Sequence, residues 1–225
     1  MKNKINTSVI EKNLKSQRVN GNTELISISK DFYNRGWMLG TSGNLSTLIK
    51  ENPLQFLITA SGKDKGKLTE EDFLLVDENG TSVGAGRDLP LHGLLQPSAE
   101  TLLHSAIYKH TDAKAVFHVH TTNNTLISMK SKENISFSGL EMLKGLGFKT
   151  HDVKVTIPVI ENSQDMKYIA KIAPSYINKE VPGVLLKGHG LYAWGKSIEE
   201  AKRHVEIFEF LFEYSMKEYQ SCRRE

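Results

Sequence analysis

The chain has 225 residues, 39% of them apolar and 24% charged, with a formal net charge of +3. This is the make-up of one ordinary globular domain. The charge is too small and too dispersed for a nucleic-acid surface, and no apolar run approaches a membrane span. The N-terminus lacks the apolar core of a secretory signal, and the single cysteine, Cys222, excludes an internal disulfide framework and fits a reducing cytoplasm.

In chain order, residues 1–20 read as a polar lead-in and residues 21–225 as a single domain. Residues 23–37 carry Leu25, Ile28 and Phe32 at helical spacing. A turn-rich break over 40–44 leads to three short apolar runs, 45–49, 56–59 and 73–76, each of strand length. Asp77-Glu78-Asn79-Gly80 reads as a hairpin turn and 81–96 as an irregular surface loop. A helix is expected from Pro97 to about His110, with Ser98 as N-cap. Residues 115–120 form a strand, while 126–129 and 140–143 are short and ambiguous.

Residues 153–160 form a strand in which Pro158 suggests an edge or a bulge. Residues 163–178 are helical, with Pro174 kinking or breaking them. Residues 184–186 form a strand, and 192–194 read as a further short strand. The last helix is the clearest, because Ser197-Ile198-Glu199-Glu200 makes a capping box and Ile198, Ala201, Val205, Phe208 and Phe212 recur at helical spacing. This order gives a single α/β/α domain whose central sheet is mixed and largely antiparallel, flanked by helices. Regular βαβ alternation is missing, which disfavours a doubly wound parallel sheet.

Phe117-His118-Val119-His120 is the strongest chemical signal. Alternate residues of a strand share a face, so His118 and His120 project together and Phe117 and Val119 oppose them. Two adjacent imidazoles are a natural chelating pair; the alternative is that they only line a polar sheet face. His189 lies between Gly188 and Gly190, straight after an apolar strand, where it is either a turn residue or a third imidazole ligand. Three imidazoles with one open position match a catalytic zinc. A binding module merely stabilised by zinc is disfavoured, since structural sites close four ligands and favour cysteine. His92, His104, His110, His151 and His204 are scattered singly and receive no role.

Two acids stand out. Glu100 lies at a helix start, where a helix-dipole partner is the plain explanation. Glu141 lies among apolar residues in Glu141-Met142-Leu143-Lys144-Gly145, where a solvated surface acid is the plain one. The residues themselves do not choose between them. Ser42-Gly43-Asn44-Leu45-Ser46 and Thr59-Ala60-Ser61-Gly62-Lys63 are small turns able to gather N–H and hydroxyl donors on an anion, and Lys63 and Lys65 add charge. No Walker or GxGxxG pattern supports a nucleotide.

Together these segments resemble the class II aldolase/adducin family. The likeness rests on the Ser-Gly-Asn-x-Ser turn from Ser42, the Thr-x-Ser-Gly turn from Thr59 and the Pro-Ser-x-Glu helix start from Pro97. The His-x-His strand at His118 and the late His189-Gly190 complete it. With the last helix it spans nearly all of the chain past residue 20. The segments 59–66, 141–145, 158–162 and 189–195 are similar to the dehydratase members rather than to the sugar-phosphate aldolases and epimerases. The resemblance therefore implies loss of water from a methylthio-substituted ketopentose 1-phosphate, with aldol cleavage or 4-epimerisation as the rival activity. It implies one zinc ion per subunit on His118, His120 and His189, and a homotetramer. It implies Glu141 as the preferred acid/base, with Glu100, the metal-side base of aldolase members, as the other candidate. It implies phosphate held by Asn44, Ser61, Gly62 and Ser98; Ala99 stands where the family often has a second serine. A non-catalytic scaffold of the adducin kind would be expected to lack the three histidines.

Overall fold

In a computed structural model of the protein, residues 7–83, 95–131 and 133–221 are described, with side chains described from residue 21 onward. The first helix, α1 (Thr7–Asn34), starts well before the expected 23. Residues 7–20 hold good helix formers and no proline, so the helix propagates through the polar lead-in although an apolar stripe exists only in its second half. Three strands follow, β1 (Asn44–Lys50), β2 (Gln55–Thr59) and β3 (Phe73–Asp77). Asp77 closes the expected turn after β3 by accepting from the N–H groups of Asn79 and Thr81, both at 2.9 Å. Most of the expected loop over 81–96 lies outside the described residues.

Helix α2 (Thr101–His110) begins later than the expected Ser98 cap. Glu100 occupies the N-cap position and makes no cap hydrogen bond, because its carboxylate faces Asn44 and the histidines. The remaining elements are β4 (Ala115–Val119), α3 (Thr122–Lys130), β5 (Asn134–Phe137), β6 (Val155–Ile160), α4 (Met166–Ile172), β7 (Gly183–Leu186), β8 (Gly190–Gly195) and α5 (Ile198–Ser221). The ambiguous segment 126–129 is helical, within α3, and 140–143 leads into a 3-10 turn, Glu141–Leu146. Helix α4 ends just before Pro174, which lies in the 3-10 turn Ala173–Ser175.

The eight strands form one sheet in the order β3-β2-β1-β4-β8-β7-β6-β5, and only β6 and β7 run parallel. The sheet is mixed and largely antiparallel, as expected. Pro158 is not on an edge strand. Val159 donates its N–H to Glu133, so by alternation the nitrogen of Pro158 faces the β7 side, where pairing starts only at Val159.

Both faces of the sheet are buried. Phe117, Val119, Leu191 and Ala193 pack with Leu25, Phe32, Val205 and Phe208 from α1 and α5. Val116, Tyr192 and Trp194 pack on the other face with Leu103, Ile107 and Ile169 from α2 and α4. His118 therefore sits inside a sandwich, at 0% exposure, and not on an open polar face. Among the described residues no helix is long and apolar enough to cross a membrane.

Candidate metal centre

The neighbouring strands β1, β4 and β8 meet at the centre. β4 carries His118, with His120 just past its end, and β8 follows the turn that carries His189. The pairing of His118 with Tyr192 across β4 and β8 brings the two histidine segments together. Glycine permits the approach: a Cβ on Gly190 would lie 2.6 Å from the Val119 carbonyl oxygen and 2.8 Å from His118 Cε1. On the other side Gly43, at φ +71, passes so close that a Cβ would lie 2.6 Å from the His118 carbonyl oxygen.

The three ring nitrogens converge. His118 Nε2 lies 2.8 Å from His120 Nε2 and 3.3 Å from His189 Nε2. Glu100 Oε1 lies 3.0 Å from His189 Nε2 and 3.7 Å from His118 Nε2. Among the described residues this is the one group of His, Cys, Asp or Glu close enough to share an ion.

The hydrogen bonds behind the rings set their tautomers. His118 Nδ1 donates to the Leu191 carbonyl at 3.0 Å, and His189 Nδ1 donates to Asn162 Oδ1 at 3.3 Å. The Nε2 lone pairs of both rings thus point at one another and at a carboxylate. That arrangement is repulsive without a cation between them. Tetrahedral ligands about 2.05 Å from zinc lie about 3.3 Å apart, which is the scale seen here. The donor set fits a divalent ion, with backbone and amide partners orienting two of the ligands.

Burial pushes His120 down to about 3, helped by His118 and His189, so its ring is neutral. Burial acts to raise Glu100, but positive charge at His118 and His189, on the rings or on an ion that they hold, outweighs it and keeps the carboxyl far below the usual carboxylate range.

A cavity of about 440 Å³ opens from this centre and is lined by His120, His189, Glu100, Ser61, Gly62 and Lys65, among others. Glu100 is the only acid among the described residues that line it. Ser98 and Asn44 also reach it. Ser98 Oγ accepts from the Glu100 N–H at 3.2 Å, and Gly62, at φ +70, has open space around it. Asn44 is turned inward: Nδ2 donates to Glu100 Oε2 at 2.5 Å and Oδ1 meets His104 Nε2, which leaves one N–H. Glu141 lies elsewhere. It is exposed, pairs with Lys144 at 2.6 Å and with His151 at 3.5 Å, and does not line the cavity.

Asn162 and His104 join the site without having been assigned to it from sequence, whereas Lys65 was expected to add charge at the anion turns and lines the cavity. Lys65 is 1% exposed, and its Nζ donates to the carbonyls of Thr41 and Lys63 at 3.0 Å each. Burial brings its amine down to about 8, against the opposing pull of Glu100. Asn162 lies in the segment 158–162 that carries the family likeness, but nothing local marks it as facing the histidines.

Three histidines and a glutamate converging on a mixed sheet make this an α/β protein with a group able to hold a metal ion. Residues 23–216 match the family described as Class II Aldolase and Adducin N-terminal domain, and the chain belongs to that family. It is 45% identical to "Methylthioribulose-1-phosphate dehydratase" of Persephonella marina, over 88% of this chain and 91% of that protein. It is 44% identical to the protein of the same name from Bacillus subtilis, over 86% of this chain and 91% of that protein. Its fold is that of L-fuculose-1-phosphate aldolase from Thermus thermophilus, with a TM-score of 0.65, 23% identity and coverage of 89% and 98% of the two chains.

Proposed function

We propose that this chain dehydrates 5-methylthioribulose 1-phosphate to 2,3-diketo-5-methylthiopentyl 1-phosphate, as a zinc-dependent lyase of methionine salvage in the cytoplasm. The observation that carries the reading is the convergence of His118, His120 and His189 beside Glu100, in a chain 45% identical to a protein named for this reaction. His118, His120 and His189 hold the ion. Three imidazoles suit zinc and leave positions for sugar oxygens.

When bound, the metal supplies a Lewis acid for the sugar's carbonyl. The cavity orients the rest. Ser61, Gly62 and Ser98 offer hydroxyl and N–H donors for the phosphate, Asn44 keeps one N–H for it, and Lys65, while protonated, adds positive charge at the same wall. A carboxylate takes the proton from C3. The electron pair left behind forms the C3–C4 double bond, and the C4 hydroxyl departs with a proton as water. The enol then gains a proton at C4 and loses one from its C3 hydroxyl, giving the diketone.

Glu100 is the carboxylate that this chain itself places at the centre. Glu141, the acid/base implied by the dehydratase likeness, lies outside the cavity of its own chain. It serves a reacting centre only when a neighbouring copy presents it, as in the expected homotetramer. Acid–base help is worth about 10²–10⁴ in rate, and Glu141→Gln should lose that much while keeping its metal. Normal turnover in Glu141→Gln with loss in Glu100→Gln would give the proton transfer to Glu100.

The decisive experiment incubates metal-loaded enzyme with the methylthio substrate and traps product with an aromatic 1,2-diamine. A quinoxaline adduct marks the diketone. Release of an aldehyde with a triose phosphate marks an aldolase instead.

A further inference from the structure

A line of buried polar side chains runs inward from Glu100. Asn44 Nδ2 donates to Glu100 Oε2 at 2.5 Å, and Asn44 Oδ1 pairs with His104 Nε2. His104 Nδ1 lies 2.7 Å from Ser46 Oγ, which lies 2.8 Å from the Tyr108 hydroxyl. Exposure along the line is 3% at Asn44, 0% at His104 and Ser46, and 7% at Tyr108. Two periodicities build it. Asn44 and Ser46 alternate on one face of β1, while Glu100, His104 and Tyr108 recur every four residues along α2 and its N-cap.

The bond directions from Glu100 to Ser46 follow from one another, while the bond between Ser46 and Tyr108 can run either way. An ionised carboxylate only accepts, so the amide of Asn44 turns its nitrogen to Glu100 and its oxygen to His104. His104 must then carry its proton on Nε2. The ring is neutral, so Nδ1 is an acceptor and Ser46 donates to it. Ser46 in turn can accept from the Tyr108 hydroxyl. A histidine with both nitrogens committed, at 0% exposure, has no freedom to adopt the other tautomer without orphaning Asn44 Oδ1.

We infer that His104 is a positioning residue: as the Nε2–H tautomer it fixes the amide of Asn44, which in turn holds the Glu100 carboxylate beside His118 and His189. His104 touches neither substrate nor metal ligand; it acts through Asn44. The inference rests on the reading that Glu100 works at the centre, and the test separates the two.

The test uses the full-length, metal-loaded protein. Glutamine at 104 places an amide nitrogen about where Nε2 lies and keeps the donor to Asn44, whereas asparagine reaches only the Nδ1 position. Outer partners of a metal site typically cost about 10–100-fold when removed, so His104→Asn should lower kcat by that factor with KM changed little and metal content unchanged. His104→Gln should recover most of the loss. Ser46→Ala, a gentler change, should lower kcat in the same sense by freeing the ring. Equal losses in His104→Asn and His104→Gln, or no loss in His104→Asn, overturn the inference. So does a long-range proton–nitrogen spectrum showing His104 as the Nδ1–H tautomer. Adding His104→Asn to Glu100→Gln should slow the enzyme no further; a multiplied loss means that His104 acts elsewhere. Wild-type turnover in Glu100→Gln alone sinks the role of Glu100, while loss there with normal His104→Asn sinks only the positioning.

Discussion

The ring of Tyr192 lies flat against that of His118, centroids 3.9 Å apart and planes 11° from parallel. It covers one face of the His118 ring, and its hydroxyl is buried without a hydrogen-bond partner among the described residues. Truncation should leave a hole behind the His118 ring, and Tyr192→Ala should destabilise by about 3–5 kcal/mol, as for other buried aromatics. Tyr192→Phe keeps the wall and removes an unpaired polar atom, so it should be neutral or stabilising by up to about 1 kcal/mol with metal content unchanged. Thermal unfolding of both variants beside metal analysis checks the pair.

Metal binding should be separable from folding. His189 lies on the turn between β7 and β8 and is only partly buried, so His189→Ala should fold yet lose bound zinc and turnover. Chelation of the wild-type protein should lower its unfolding temperature. At free zinc 100-fold above Kd the linked stabilisation is about 2.7 kcal/mol. Unfolding temperature of His189→Ala that still responds to zinc would contradict the assignment.

Lys65 joins two loops by donating to Thr41 and Lys63, and it lines the cavity wall that includes Ser61 and Gly62. Thr41 is the only non-glycine residue at positive φ, +68, among the described residues, and its carbonyl is one that Lys65 holds. Lys65→Met should weaken inhibition by inorganic phosphate by about tenfold or more, since a hydrogen bond to a charged group is worth about 1.5–3 kcal/mol. The amine titrates near 8, so phosphate affinity of the wild type should fall as pH rises through that value, and the fall should vanish in Lys65→Met. Inhibition constants measured from pH 7 to 9 decide this.

Glu209 of α5 sits 3% exposed beneath the segment that follows His120, accepting from Thr121 Oγ1 at 2.7 Å and Asn124 Nδ2 at 3.2 Å. Burial raises its carboxyl to about 7, with Thr121 and Asn124 only partly offsetting it. The folded protein thus binds this proton more tightly than the unfolded chain. The stability it contributes is full below about 4.5 and is lost as pH rises toward 7. Glu209→Gln keeps the shape and removes the ionisation. The variant should gain on the wild type by at most about 3 kcal/mol above pH 7 and draw level near pH 4.5. Denaturant unfolding at several pH values measures the difference; a constant gap across pH would refute the cause.

Much of the site was legible before folding was considered. The His-x-His alternation, the glycines around His189 and the capping box of α5 are local patterns, and local backbone geometry keeps them wherever the segment goes. Pro174 ends a helix for the same local reason. The start of α1 was misplaced because residues 7–20 have helix formers without an apolar stripe, and propagation needs only the former. Strand β5 went unseen because its four residues, Asn134–Phe137, are too short and too polar on their own to signal pairing.

Glu100 and Glu141 show where local pattern runs out. Each sits beside a plausible motif, and sequence ranked Glu141 first through likeness to relatives. In the folded chain Glu100 lies 3.0 Å from His189 while Glu141 pairs with Lys144 on the surface. His104 looked like an ordinary helix residue, yet it meets Asn44 across 60 positions of sequence.

By itself the sequence determined which residues could be ligands, because the period of a strand or helix fixes the relative direction of near neighbours. Only the tertiary structure decided which of them meet. The order β1-β4-β8 closes the separation of 71 positions between His118 and His189, and α2 laid over β1 brings its polar ridge down onto Asn44 and Ser46. Those contacts arise from burying both faces of one sheet, a demand of the whole chain that no short segment records.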